Sequence, residues 1–278
     1  ILTVGTKLEH NSYTGFEYQP SARLLWKPLD KHSLWGAVSR AVRVPSRGEQ
    51  DSTIQRGFVA PVVMLSIFGS REMDAEELIA YELGYRFLDK QLSVDLSLFY
   101  NEYDNLRSVE QAAIRRKAGG FVVPLILDNK LYGESYGLEL ATSWVVNEDW
   151  RLYGSYSYIQ MQLHLLASST DATEEGDEGD TPQHQFNIRS LWQVAENWQL
   201  DTTLRYVDLV RADEGVKEAV KSYLTVDFRV AWQAHESLAV SVVGQNLLGK
   251  HREFRGSTVE TQATDVEPSV FIKMDFNY

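Results

Sequence analysis

Residues Pro268 to Tyr278 read PSVFIKMDFNY, and within them Val270, Ile272, Met274, Phe276 and Tyr278 alternate with Phe271, Lys273, Asp275 and Asn277. One face is wholly apolar and the other mostly polar, the period of a strand whose two sides meet different environments. The same beat runs upstream. Leu224, Val226, Phe228, Val230 and Trp232 oppose Tyr223, Thr225, Asp227, Arg229 and Ala231, and Trp198, Leu200, Thr202, Leu204 and Tyr206 oppose Gln199, Asp201, Thr203 and Arg205. Leu92 to Asn101 and Leu2 to Glu9 repeat it. With weaker cases included, the period predicts about twelve strands of roughly ten residues each, the length a tilted strand needs to cross a bilayer, and no convincing helix.

The connections alternate in length. Short turns are expected near 28–31, 88–91, 146–149, 195–197 and 233–236, and long loops near 45–74, 103–131, 164–183, 210–220 and 248–268. Short turns at one end and long loops at the other are the pattern of an outer-membrane β-barrel. The tryptophans give an independent test. All seven, at 26, 35, 144, 150, 192, 198 and 232, lie within a few residues of a short turn. An indole has an apolar body and one polar N–H, so it favours the headgroup level, and seven at one level would form the periplasmic girdle.

The face opposite the apolar one carries Lys7, Glu9, Arg23, Asp95, Glu139, Arg151, Arg189, Asp201, Arg205, Asp227, Arg229, Lys273 and Asp275. Mixed charge suits a wide, hydrated or plugged lumen and not a dry core. A soluble sheet with one wet face gives the same alternation strand by strand. The turn asymmetry and the tryptophans separate the two readings, and a soluble β-sandwich interaction module remains the alternative that solubility without detergent would favour.

Composition narrows the classes further. The chain has 278 residues with 27 Lys and Arg against 39 Asp and Glu, a net charge of −12. No stretch approaches the roughly 18 consecutive apolar residues of a membrane-spanning helix, which excludes a helical membrane protein. The acidic balance without a dense basic stripe argues against a nucleic-acid partner. The absence of cysteine removes disulfides and thiolate metal sites. The chain begins at Ile1 with no basic segment followed by an apolar one, which suggests a processed or excised piece of something longer.

Several motifs compete with this reading. Gly133-Glu134-Ser135-Tyr136-Gly137 matches the G-x-S-x-G nucleophile elbow, but Leu138 to Trp144 continue as a strand where that elbow needs a helix. The six histidines show no metal-ligand spacing, so no metal or cofactor is expected. Asp171 to Asp180, DATEEGDEGD, places six acidic residues in a long loop; Pro182 stands where a calcium loop needs a bidentate Glu, and a solvated, self-repelling loop is expected. Phe58 to Phe68 is an apolar run that reads as strand extension or loop packing, with a ligand-contacting surface as the alternative. Arg115-Arg116-Lys117 and Arg252 to Arg255 are basic loop patches that could meet an anionic ligand or lipopolysaccharide phosphate.

Pro20 to Pro45, with its Ser39-Arg40-Ala41-Val42-Arg43-Val44-Pro45 exit, resembles the barrel of TonB-dependent outer-membrane receptors. Glu76 to Arg86, Ser135 to Leu140, Gln245-Asn246-Leu247-Leu248 and the final strand Pro268 to Tyr278 are similar to further parts of that family, although Tyr278 replaces the commoner terminal Phe. The resemblance implies an all-β, antiparallel transmembrane barrel, with residues 1–278 forming the C-terminal half of a 22-stranded whole. It implies a signal peptide and an N-terminal plug carrying the TonB box, neither of them in this chain. It also implies uptake of a scarce ligand such as a ferric siderophore, a cobalamin or an oligosaccharide, driven by TonB through the plug, with lipid and lipopolysaccharide outside and the five long loops facing the ligand. No catalytic residue is expected. The rivals are a complete twelve-stranded translocator or channel, and a phospholipase-type enzyme, which would need a Ser/His pair on an outward strand face.

Overall fold

The computed structural model describes residues 1–60, 63–117, 120–211, 219–254 and 263–276, with the backbone alone for 56–60. In chain order the strands are β1 (Leu2–Asn11), β2 (Gly15–Leu29), β3 (His32–Arg43), β4 (Thr53–Ala60), β5 (Val63–Phe68), β6 (Glu76–Leu88), β7 (Leu92–Gln111) and β8 (Arg115–Lys117). They continue with β9 (Gly120–Asn147), β10 (Trp150–Leu165), β11 (His184–Ala195), β12 (Trp198–Val207), β13 (Tyr223–His235), β14 (Leu238–Gln245) and β15 (Ser269–Phe276). Among the described residues, one short helix, α1 (Arg47–Asp51), and a 3-10 turn at Glu174–Gly179 lie in the loops.

Twelve of the strands form one antiparallel path, β1-β2-β3-β6-β7-β9-β10-β11-β12-β13-β14-β15, each hydrogen-bonded to the next and with β1 and β15 at opposite ends. This is the expected wall of about twelve strands. The extra three lie off it: β4 pairs with β5, β5 runs parallel to β9 from Val63↔Phe121 to Phe68↔Ile126, and β8 folds onto β9. Two corrections follow. The expected loop at 103–131 is largely strand, because β7 and β9 run for 20 and 28 residues, well past the roughly ten a bilayer requires. The expected loop at 45–74 contains α1 and the β4–β5 hairpin. All five short turns fall where expected. On the other side the β1–β2 connection is also short, closed by Asn11, whose Oδ1 accepts the N–H groups of Tyr13 and Thr14 at 2.9 and 2.8 Å.

Register carries each face from strand to strand. Every charged residue expected on the polar face lies there, as in the cross-strand series Asp95↔Ala141↔Ser155↔Asn187↔Arg205↔Thr225. On the apolar face Trp150↔Trp192 and Trp198↔Trp232 are direct partners, with ring centroids 5.9 and 5.8 Å apart. Trp26 and Trp144 share that face and are 61% and 48% exposed. Trp35 does not belong to this girdle: it pairs with Leu25 and Gly84 on the polar face, where the Arg23 guanidinium sits 5.1 Å over its ring. Gly84 is what admits the indole, since a Cβ at that position would fall inside the Trp35 ring. The structure adds a second aromatic belt that the tryptophans do not announce. Tyr81↔Tyr100↔Tyr136 and Tyr156↔Phe186↔Tyr206 are cross-strand rows on the apolar face toward the loop end. Trp198 and Tyr206 lie eight residues apart on β12, which at ~3.3 Å per residue separates them by roughly 26 Å along the strand.

Candidate functional site: two loop clusters above a polar wall

The first cluster forms where β3, β7 and β9 leave the wall. Ser46 caps α1 with a capping box: Glu49 N–H donates to Ser46 Oγ at 3.3 Å, and Ser46 N–H donates to Glu49 Oε2 at 2.8 Å. Arg43 then holds Glu49 through Nη1 and Nη2 at 3.1 and 3.0 Å and Glu76 through Nε at 2.5 Å. Arg40 donates to Glu77 at 3.1 Å. The Arg-rich exit of β3 and the Glu-rich start of β6 are therefore bonded partners. Burial alone would raise the Glu49 carboxyl, but the Arg43 guanidinium and the Ser46 donors outweigh it and hold it at about 2.

Glu110, 8% exposed near the distal end of β7, is the second hub. Its carboxylate accepts from Ser108 Oγ at 2.8 Å, Ser169 Oγ at 2.7 Å, Thr170 N at 2.6 Å and Thr170 Oγ1 at 2.9 Å, with Lys130 Nζ 3.7 Å away. Burial pushes this carboxyl up, and the Thr170, Ser169 and Ser108 donors override it, bringing it to about 2. The acidic run that follows is solvated as expected, with Glu175, Glu178 and Asp180 exposed, but it is also docked, which replaces the expected self-repulsion. Asp171 Oδ2 accepts Val109 N–H, Glu175 accepts Leu165 N–H at 2.8 Å, and Glu178 accepts Leu163 N–H at 3.3 Å. The carboxylates cap backbone donors at strand ends instead of repelling one another in water. Among the described residues no group of three or more His, Asp and Glu is arranged to hold a metal ion.

Between these hubs lies a chamber of about 780 Å³. Its apolar floor comes from Ile54, Leu65, Ile67, Val109, Leu125 and Leu127, and its rim from Arg43, Glu49, Arg107, Glu174 and Asp177. The apolar run at 58–68 thus contributes packing through β5; its residues 61–62 lie outside the described residues. Arg107 stands 3.8 Å from Glu49 and 3.7 Å from Glu174, beyond hydrogen-bond reach of either.

The second cluster caps β12 to β14. Arg205 donates to Tyr223 Oη at 2.6 Å and to Glu253 Oε1 at 2.9 Å. The His251 ring stacks on Tyr223 at 4.1 Å between centroids. Asn246, 5% exposed with φ 53°, donates through Nδ2 to the Val266 carbonyl at 2.8 Å and through its backbone N–H to Asp227 at 2.7 Å. A residue that tolerates a left-handed backbone and bonds locally is what the start of the last loop requires. Two hollows of about 380 and about 480 Å³ share Gln185, Arg205 and Val207 and run as one groove from the middle of the polar wall up to Glu253 and Phe254. Arg211 N–H, bonded to Gly179 O at 3.1 Å, joins the two clusters.

Of the expected long loops, those at 45–74, 103–131 and 164–183 meet in the first cluster, and those at 210–220 and 248–268 border the second. In the last two, residues 212–218 and 255–262 lie outside the described residues, and with them Arg255. Arg115, Arg116 and Lys117 sit on β8, away from the chamber, all exposed. Arg252 is bonded to Asp265 at 3.0 Å. Ser135 is 1% exposed in mid-strand, bonded by Asn101 at 3.1 Å and sharing a hydrogen bond with Tyr103 at 3.2 Å, so the G-x-S-x-G match is strand and not elbow. Its glycines are required by packing: a Cβ at Gly137 would collide with Tyr158 O and the Phe99 ring. Glu49 and Glu110, which fasten the loops, are not singled out by the sequence reading: Ser46-x-x-Glu49 after Pro45 carries a legible capping signal, whereas Glu110 carries none.

The chain matches the model of the family described as TonB dependent receptor-like, β-barrel, over residues 1–247. It is 24% identical over 255 residues to the iron-regulated outer membrane virulence protein of Vibrio cholerae, covering 88% of this chain and 38% of that protein. Its fold is similar to that of a mutant ferric enterobactin receptor of Pseudomonas aeruginosa in complex with enterobactin, with TM-score 0.73 and 17% identity, covering 98% of this chain and 42% of the other. It is similar also to the siderophore receptor PirA of Acinetobacter baumannii, with TM-score 0.73 and 15% identity, covering 100% and 43%. The chain spans about two fifths of the length of these relatives, whose names are those of receptors and outer-membrane proteins and not of enzymes. An open antiparallel wall with one apolar and one polar face, long loops gathered at one end and a family match over most of its length make this chain a member of the TonB-dependent receptor β-barrel family.

Proposed function

We propose that the chain is the C-terminal portion of the barrel of an outer-membrane active-transport receptor that takes up a ferric siderophore or another iron complex, energised through TonB, with no catalytic role. The observation that carries this reading is the wall. Its apolar face is bounded by a tryptophan row at the short-turn end and tyrosine rows roughly 26 Å away. With strands tilted roughly 35–45°, that spacing along the strand projects to roughly 20 Å along the normal, which lies within the ~25 Å apolar band of an outer-membrane barrel. The apolar face would meet lipid, and lipopolysaccharide would surround the loop end. The polar face would line the lumen, and the loop clusters would face the medium. Further strands, with a plug carrying the TonB box, would complete the receptor. A closed twelve-stranded translocator, channel or phospholipase would need β1 bonded to β15, whereas the sheet order leaves them at opposite ends.

The test is uptake of radiolabelled iron, offered as single defined chelates, by cells lacking the gene that encodes this chain, with and without a functional TonB. The expected result is one chelate whose uptake requires both the gene and TonB. Uptake of every iron and cobalamin source unchanged by the deletion would sink the transport reading, and recovery of the intact protein in the soluble fraction would sink the membrane reading.

A further inference from the structure

We propose that a trough along β3 on the apolar face of the wall holds one acyl chain of a periplasmic-leaflet phospholipid, whose phosphate meets Lys27. The inference rests on the membrane reading above and deepens it; it is independent of the transported ligand and of TonB.

The trough is built by a missing side chain. Leu24↔Gly36↔Leu83 is one cross-strand row of β2, β3 and β6, with Ala22↔Val38↔Tyr81 on one side of it and Trp26↔Leu34↔Tyr85 on the other. Leu24 and Leu83, 55% and 53% exposed, stand as two ridges, and Gly36 between them leaves a hollow of about 600 Å³. Two strand spacings, roughly 10 Å, separate the ridges. Their side chains narrow that gap to the width of one hydrocarbon chain. The outward positions of β3 from Leu34 to Val38 give the trough roughly 13 Å along the strand.

Nothing inside the chain asks for glycine at this position. Its φ is not positive, and the register runs unbroken through it to both neighbouring strands. A Cβ there would meet only ordinary contacts, Glu82 O at 3.6 Å and Leu83 Cδ1 at 3.9 Å. At Gly154 and Gly244, on the same face, it would instead come within 2.9 Å of Thr142 Oγ1 and 3.0 Å of Leu247 Cδ1. Glycine weakens a strand interior, and where neither a bulge nor a close backbone approach calls for it, it marks a place that a ligand approaches. In a hydrocarbon medium association is driven by van der Waals packing, which a straight chain between two leucine ridges supplies.

The two ends of the trough decide the leaflet. Beyond Tyr81, toward the loops, Arg40 is already bonded to Glu77 and to the Tyr18 carbonyl, and the outward carboxylates Glu102 and Glu134 lie opposite each other on β7 and β9. A phosphate is repelled there. At the short-turn end Lys27 follows Trp26, is exposed and pairs with no carboxylate among the described residues. In the turns beside it Lys31 is bonded to Asp89 at 2.9 Å, which leaves Lys27 and Lys90 against Asp30. The Trp26 indole N–H has no partner among the described residues, whereas that of Trp150 donates to Ser190 at 2.9 Å. It is therefore open to a lipid ester or phosphate oxygen.

The test is native mass spectrometry on the receptor carrying this chain, released from detergent after incubation with dioleoyl phosphatidylglycerol or with dioleoylglycerol, which has the same chains and no phosphate. The native protein is expected to retain one phosphatidylglycerol and several-fold less dioleoylglycerol. Gly36→Leu, which fills the trough from an unobstructed Cβ, should lower retention of both lipids several-fold. Lys27→Gln should lower phosphatidylglycerol retention about fivefold and leave dioleoylglycerol unchanged. Retention in Gly36→Leu equal to that of the native protein overturns the proposal. So does a dimer that Gly36→Leu splits with no change in bound lipid, which would put a second copy of the chain in the trough. An unchanged phosphatidylglycerol signal in Lys27→Gln overturns the placement of the phosphate. If Gly36→Leu does not assemble, Gly36→Ala should still lower retention, and an undiminished signal there overturns the proposal. Recovery of the native protein in the soluble fraction would instead sink the membrane reading beneath it.

Discussion

The two loop clusters solve the same problem with different chemistry. Above β3, β7 and β9, the loops are held by carboxylates, Glu49 and Glu110, each collecting several donors, and both are held at about 2. Above β12 to β14, the last loop is held by one arginine, one tyrosine and one histidine around Glu253. A carboxylate that accepts several hydrogen bonds stays ionised throughout the physiological range, so the first cluster is a permanent fixture. The second cluster has no buried carboxylate at its hub: the Glu253 side chain is 39% exposed and takes its shortest bond, 2.9 Å, from Arg205. One side of the mouth is fastened by buried carboxylates and the other by a part-exposed one.

Glu110→Ala is the severest test of this contrast. It strands the Ser108, Ser169 and Thr170 donors and unties the 166–180 loop from β7, at a cost of about 3 kcal/mol to docking. Exchange at Thr170 and at Val109, whose N–H is held by Asp171, should rise more than a hundredfold, with the second cluster unmoved. Equal loosening of both clusters would show that they form one unit. Glu49→Ala comes next. It removes the capping box and one partner of Arg43, about 1–2 kcal/mol, and limited proteolysis should open α1 first. Acid gives the same information without mutation. Both carboxyls are depressed from an ordinary 4.5, so their contribution is complete above that value and is lost as pH falls through about 2. Exchange in the first cluster should therefore stay flat from neutral pH down to about 4.5 and climb below it.

The wall was legible in the sequence because each residue there meets one of two environments, and a period of two records which. Arg205 could be placed on the polar face for that reason, and the short turns followed from where the period broke. The loops were not legible, since they are fixed by contacts between residues far apart in sequence: Glu110 with Thr170, Val109 with Asp171, Arg40 with Glu77. No local pattern announces such a partner. The acidic run reads as self-repelling when its neighbours are other acids, and as docked once backbone donors of β7 and β10 are beside it. Trp35 misled for a related reason. Its distance from a turn was visible, but the Gly84 notch that turns it to the polar face lies on a strand reached only through register.

Two smaller effects sharpen the comparison at its boundary. Arg205→Lys keeps the charge beside Glu253 but loses the guanidinium's planar contact with Tyr223, where its carbon lies 5.5 Å from the ring centroid. A cost of about 1 kcal/mol, read as a roughly fivefold rise in exchange at Val266, should appear in the second cluster alone. Arg107→Ala should do less still. Its guanidinium is 43% exposed and its two carboxylates lie at 3.8 and 3.7 Å, so solvent screening leaves well under 1 kcal/mol of docking energy to lose. Loop exchange and thermal stability should barely change. Arg43, by contrast, is locked onto Glu49 and Glu76, which makes Arg107 the rim cation of the chamber least committed to structure. If Arg107→Ala nevertheless lowers uptake of an anionic iron chelate severalfold at unchanged loop exchange, the chamber handles ligand. If it loosens the 166–180 loop as far as Glu110→Ala does, Arg107 is a structural strut, and the first cluster depends on ion pairs and not on buried carboxylates.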